Sequence, residues 1–271
     1  MTSWAGTALN RIYADFLMPS RLPTFRRLLS AFVEAGYDVV SIEQYRDRLN
    51  AAGGAPGQRT VILRHDIDTD PGTGRRMWQI ERDLGVGGSF FFRLSTLDVP
   101  LMQAIAGSGS HASYHYEELA TVAKRHRLRS RSAIDDHLQE IRSDFLRNLA
   151  SLRAQTGLPI DIVASHGDFV NRRLGIPNWF FLTDEAFRRE AGIELETYDE
   201  AMMGHVTSRH SDTLHPRYWL PETPLAAIDR GESVIYLLVH PRHWRVSRRL
   251  NALDDLGRLR ESVAYRVGMG R

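Results

Sequence analysis

The 271-residue chain contains no cysteine, so a disulfide framework, a thiolate nucleophile and a Cys-ligated zinc are all excluded. Any bound metal must be held by His, Asp or Glu. No segment approaches the ~20 consecutive apolar residues that a membrane-spanning helix needs. Residues 1–16 have no basic stretch leading into an unbroken apolar run, so they do not read as a signal peptide, and a cytoplasmic protein is expected. A strong charge imbalance is also missing: 35 Lys plus Arg stand against 33 Asp plus Glu. Nothing in that balance calls for nucleic acid or an anionic membrane, and the expected partner is a small-molecule or glycan-precursor substrate. The oligomeric state is left open.

What is present is a 42% hydrophobic composition in a chain long enough to bury one large core, so a single domain over residues 1–271 is expected. Apolar residues at helical spacing (Phe25, Leu28, Leu29, Phe32, Val33) predict a helix from Thr24 to Ala35, stopped at Gly36, before a short strand from Asp38 to Ser41. Residues 51–58 have loop composition. A buried strand then starts at Thr60, a helix covers Gly74 to Leu84, and a second apolar strand covers Ser89 to Leu94. A short helix (Leu101 to Ala106), a strand (Ser110 to Tyr116) and one long amphipathic helix (Ile134 to Leu152, ending near Gly157) follow. The strands Ile160 to Ser165 and Ser233 to Val239 complete the pattern, while residues 167–225 read as loop-rich. Alternating strands and helices predict an α/β fold with a mostly parallel sheet, as a barrel or a doubly wound sheet, with chemistry at the carboxyl ends of the strands.

Four of these strands carry or run into polar clusters: Arg64-His65-Asp66-Ile67-Asp68, His111 to His115, Ser165-His166-Gly167-Asp168, and His240-Pro241-Arg242-His243. Asp66 and Asp68 are two residues apart, so on a strand their carboxylates share a face. One can bind a metal while the other takes a proton from water; equally, such a pair can cap the helix that follows. On a strand, His111 and His115 lie ~13 Å apart and cannot share a metal. His115, nearer the carboxyl end, is the better ligand. His166 then supplies the third, giving one Asp and two His with open positions for water and substrate. The run Phe90-Phe91-Phe92 is expected in the core rather than as a sugar-stacking platform.

In order and spacing, Arg64-His-Asp-Ile-Asp68, the stretch Gly109 to Glu117, His166-Gly167 and Leu238-Val-His-Pro-Arg-His-Trp244 resemble the polysaccharide deacetylase (NodB-homology, carbohydrate esterase family 4-like) proteins, over roughly residues 24–245. The resemblance implies a distorted (β/α) barrel with fewer than eight strands and a metal-dependent N-deacetylase acting on an N-acylated amino sugar or related small molecule. It also implies Asp66 as catalytic base, Asp68 as metal ligand, His115 as first histidine ligand and His240 as general acid. The metal expected is divalent, Zn²⁺ by preference. Asp212 is a candidate to orient His240, and Arg93 to meet an acidic group of the substrate.

One position departs from the family pattern. A second histidine is usual four residues after the first, and counted from His115 that position is Leu119; counted from His111 it is His115, which would require a turn in place of a strand. Two other functions compete with deacetylation. One is a metal-free sugar-binding pseudoenzyme, which Leu119 permits; the other is hydrolysis of a cyclic imide or formamide by the same site.

Overall fold

The computed structural model describes residues 9–52 and 57–267. Helix α1 (Leu22–Glu34) buries Phe25, Leu28, Leu29 and Phe32 and precedes strand β1 (Asp38–Val40). The chain continues through α2 (Ile42–Ala52), β2 (Thr60–Ile67), α3 (Pro71–Leu84), β3 (Ser89–Phe92), α4 (Val99–Ala106) and β4 (His111–Tyr116). Next come α5 (Glu118–His126), α6 (Arg131–Asp136), α7 (Leu138–Thr156) and β5 (Ile162–Ser165). Residues 167–225, read from sequence as loop, hold short elements: α8 (Phe169–Leu174), α9 (Glu185–Ala191), β6 (Leu195–Glu196), α10 (Glu200–Met203), β7 (Ser208–Asp212) and β8 (Trp219–Leu220). The chain closes with α11 (Leu225–Asp229), β9 (Val234–Val239) and α12 (Arg248–Arg266).

The expected amphipathic helix from Ile134 to Leu152 is two helices. His137 leaves helical geometry at φ −105°, ψ 8°, and its Nδ1 hydrogen-bonds the Ala133 carbonyl. The apolar spacing runs on across this break, which is why periodicity alone misses it. Gly157 ends α7 at φ +71°, in the left-handed region that glycine enters without cost.

The sheet runs in the order β6-β5-β4-β3-β2-β9-β7-β8, with β1 beside the first half of β2 and β3 beside the second. Every pairing is parallel except β7 with β8. The curled sheet is a distorted (β/α) barrel, left open between the edges β6 and β8. Alternation along each strand sorts residues into two sets. Ile62, Phe91, Ile162, Ala164 and Tyr236 form one buried cluster on the concave face. Val61, Leu63, Ile235, Leu237 and Val239 pack outward on α1, while Phe90, Phe92, Tyr114 and Tyr116 pack against α4 and α7. All three residues of Phe90-Phe91-Phe92 are core residues, at most 1% exposed. Because β2, β4, β5, β7 and β9 run parallel, their carboxyl ends open on one edge, above the interior cluster.

Candidate active site at the carboxyl ends of the strands

Alternation on β2 gives Arg64 and Asp66 the inward direction and His65 the outward one. His65 stacks on Phe90 with ring centroids 4.1 Å apart and meets the buried Glu81. Arg64, fully buried, grips Asp66 with a two-pronged contact: Nε donates to Oδ1 at 2.7 Å and Nη2 to Oδ2 at 2.9 Å. Its remaining nitrogen donates to the Thr197 and Tyr236 hydroxyls. Burial raises the Asp66 pKa, but the charge of Arg64 outweighs it and holds the carboxyl below its ordinary value.

Asp68 lies just beyond the strand. Its Oδ1 is 3.3 Å from His115 Nε2 and 3.6 Å from His166 Nε2. His115 comes from β4 and His166 from the end of β5, whose neighbouring register pairs His115 with Ala164 and Tyr116 with Ser165. The Nδ1–H of His115 donates to the Ala164 carbonyl at 3.0 Å, which leaves Nε2 as the ring nitrogen facing Asp66 and Asp68. Burial raises the Asp68 pKa, yet the two imidazoles prevail and keep it well below the usual carboxylate range.

These donors fit a cation. Asp68 Oδ1 is buried without a hydrogen bond, facing imidazole nitrogens that can act as acceptors. Separations of 3.3 and 3.6 Å resemble the tetrahedron edge of about 3.3 Å that Zn–N and Zn–O bonds near ~2.0–2.1 Å produce. Asp68, His115 and His166 form one group whose potential ligand atoms lie within 4.8 Å of one another.

His111 is not in this group. It sits at the other end of β4 with Nδ1 3.2 Å from Ser89 Oγ, and burial lowers its pKa to about 4. The stretch 111–116 is a strand, so the alternative pairing of His111 with His115 is not assembled. Leu119 is fully buried on the apolar face of α5.

Glu117 has a part that the sequence reading missed. Its Oε2 lies 3.4 Å from His166 Nδ1, and Arg93 grips the same carboxylate at 2.8 Å through Nη2. Burial acts to raise the Glu117 pKa, but contact with His166 and Arg93 holds it far below normal. The guanidinium of Arg93, expected to be open for an acidic substrate group, is instead committed to Glu117 and to the Asp68 carbonyl. A carboxylate two residues after the ligand histidine, directly past the end of its strand, is the one sequence signal that could have singled out Glu117.

Asp212 ends β7, beside β9, and its carboxylate organises the fourth cluster. Oδ1 lies 2.7 Å from His240 Nδ1 and 2.9 Å from His243 Nδ1, while Oδ2 accepts from the His240 backbone N–H and from Trp244 Nε1, each at 2.8 Å. Burial alone would lower the His240 pKa; the Asp212 charge overrides it and lifts it to about 9. Asp212 itself is held far below the carboxylate range despite its burial, by His243 and His240. His243 and Trp244 were not singled out in the sequence, where they read only as part of the strand-end run.

Asp66, Asp68 and His240 line one cavity of about 150 Å³, walled also by Arg11, Leu214 and Arg258. A second cavity of about 440 Å³ reaches His166 and Gly167 between Arg93 and α12. Both the N-terminal segment and α12 therefore border the site. Among the described residues, no helix is long and apolar enough to cross a membrane.

No family model and no curated protein matches the sequence. Among solved structures, the chain is similar to IcaB from Ammonifex degensii at 16% identity, over 67% of this chain and 79% of that one, with a TM-score of 0.46. It is similar to the Streptococcus pyogenes deacetylase PplD in complex with acetate at 11% identity, over 81% of this chain and 83% of that one, with a TM-score of 0.44. It is also similar to a family 4 carbohydrate esterase from Bacillus anthracis at 14% identity, over 92% of this chain and 89% of that one, with a TM-score of 0.39.

Proposed function

We propose that this chain is a metal-dependent amide hydrolase, an N-deacetylase acting on an N-acylated amino sugar or a related small molecule. The observation that carries the proposal is the bare Asp68 Oδ1, facing His115 and His166 beside a second, ionised carboxylate. A divalent cation, Zn²⁺ by the donor set, would be held by Asp68, His115 and His166 and would supply Lewis acidity toward an amide carbonyl and water. Asp66 then accepts the proton of the attacking water while Arg64 fixes its orientation. His240, kept protonated at neutral pH by Asp212, delivers a proton to the departing amine nitrogen, without which an amine is a poor leaving group. Glu117 lies 3.4 Å from the far ring nitrogen of His166, the place from which an outer carboxylate would orient a metal-binding histidine.

The test is metal analysis of purified protein followed by a screen of N-acetylated small molecules for released acetate. Stoichiometric divalent metal with acetate release supports the proposal. Metal-free protein that binds sugars without turnover would make it a pseudoenzyme. Ring opening or formate release without acetate would instead assign the site to cyclic imides or formamides.

A further inference from the structure

Among the described residues, fourteen large hydrophobic side chains are exposed, and eight of them fall in just two segments: Leu9, Ile12 and Leu17, then Leu253, Leu256, Leu259, Val263 and Val267. The second set recurs every three or four residues along α12 and onto its capping residue Val267, which places it on one stripe of the helix. The opposite side of α12 carries the buried Asn251 and Tyr265 and packs on the body of the protein. The stripe is therefore the outer face of a docked helix, and its members are 43–73% exposed.

The charges on α12 are sorted in the same way. Each of its acidic residues is tied to a basic partner: Asp254 to Arg242 and Arg258, Asp255 to Arg242 and Arg11, and Glu261 to Lys124. Arg249, Arg260 and Arg266 are exposed and make no ion pair among the described residues. The outer face thus combines aliphatic side chains with uncompensated positive charge. A second copy of the chain docking by a two-fold helix contact would set these arginines against their own counterparts.

We propose that this face of α12 docks on an anionic lipid bilayer, with the Leu and Val stripe entering the headgroup boundary and the three arginines meeting lipid phosphates. This departs from the sequence expectation of no membrane partner, because net charge near balance conceals a helix whose acids are all turned toward other residues. The same helix lends Arg258, Glu261 and the stripe's own Leu259 to the wall of the 440 Å³ cavity, so the stripe reaches the cavity's rim and docking brings that cavity to the interface.

The experiment is co-sedimentation of the full chain with vesicles of phosphatidylcholine alone, and with vesicles containing about one third phosphatidylglycerol. Partition onto the anionic vesicles only, weakening as salt is raised, is expected. Replacing the arginines together (Arg249→Gln, Arg260→Gln, Arg266→Gln) lowers the partition on the order of a hundredfold. The triple variant Leu253→Ser, Leu256→Ser, Val263→Ser abolishes it; these side chains are 43–56% exposed, so the variant stays folded with at most a small fall in Tm, which a melting curve checks. No partition, equal partition onto both vesicles, or binding that survives the serine variant overturns the proposal. So does a concentration-dependent dimer that the serine variant dissociates while vesicles stay unbound, which would give the face to a second copy. None of these readouts uses catalysis, so their outcome is separate from that of the deacetylase reading.

Discussion

Asp66 and Asp68 lie two residues apart, yet their surroundings divide them: Asp66 is clamped by Arg64, whereas Asp68 Oδ1 is bare before two imidazoles. Asp66→Asn is expected to abolish turnover with metal still bound, because the amide keeps the shape and loses the basic oxygen. Asp68→Asn should lose metal, and metal analysis of both purified variants separates the roles. Glu117→Gln removes the charge behind His166 and should weaken metal affinity by about 10–100-fold, the usual effect of such outer contacts; a competition titration against a chelator reads this. At the far end of β4, burial holds His111 near about 4, below the ~6.5 of an unfolded histidine. The unfolded chain therefore takes up the proton first. The resulting stabilisation is complete above pH ~6.5 and drains as pH falls toward 4, by up to ~3 kcal/mol. His111→Gln should flatten that loss, measured as denaturant midpoints at neutral and acidic pH; an unchanged slope would place the titration elsewhere.

At the scale of elements, legibility follows burial pattern. Strands β2, β3, β5 and β9 are runs of apolar residues closed by polar ones, and the sequence places them within one or two residues of their observed ends. β7 is different: Ser-Arg-His-Ser-Asp has no apolar alternation, and it is a strand because β9 and β8 offer ladders on both sides. That is why residues 167–225 read as loop even though Asp212 was picked out from them. Short helices such as α8 and α9 rest on side-chain caps from Asp168 and Asp184, too local for a periodicity to register. The site itself was read from polar residues at strand ends, whereas Arg64, Glu117 and His243 act through contacts that only the fold creates. Helix α12 is held by such a contact. Arg242 directs its guanidinium to Asp15 at 2.9 Å, Asp254 at 2.6 Å and Asp255 at 2.8 Å, joining both terminal segments to the end of β9. Arg242→Met leaves the buried Asp15 with Arg11 as its one remaining basic partner among the described residues and should cost about 1–3 kcal/mol. Faster hydrogen exchange in α12, relative to β2, is the matching local signature. Arg242→Lys should fall between, keeping the charge but losing the planar fork.

For the whole molecule, the parallel sheet explains why four sequence-distant clusters can act together: the carboxyl ends of β2, β4, β5, β7 and β9 share one edge, and the inward residues of each converge on it. The converging groups divide electrically. Asp66 and Asp68 are held ionised, whereas Asp212 lifts His240 to about 9, so at pH 7 one side of the cavity accepts protons and the other donates them. If His240 is the acid that serves the departing amine, His240→Ala should slow amide hydrolysis by ~10²–10⁴-fold while metal content stays constant. The loss should shrink for an activated ester of the same acyl group, whose leaving group departs without a proton. Raising the pH through about 9 should likewise depress turnover of the amide more than of the ester in the wild type, because it removes the donated proton. Equal losses on both substrates would take His240 out of the acid role and leave Asp212, His240, His243 and Trp244 as a hydrogen-bonded brace that joins β7 to the end of β9.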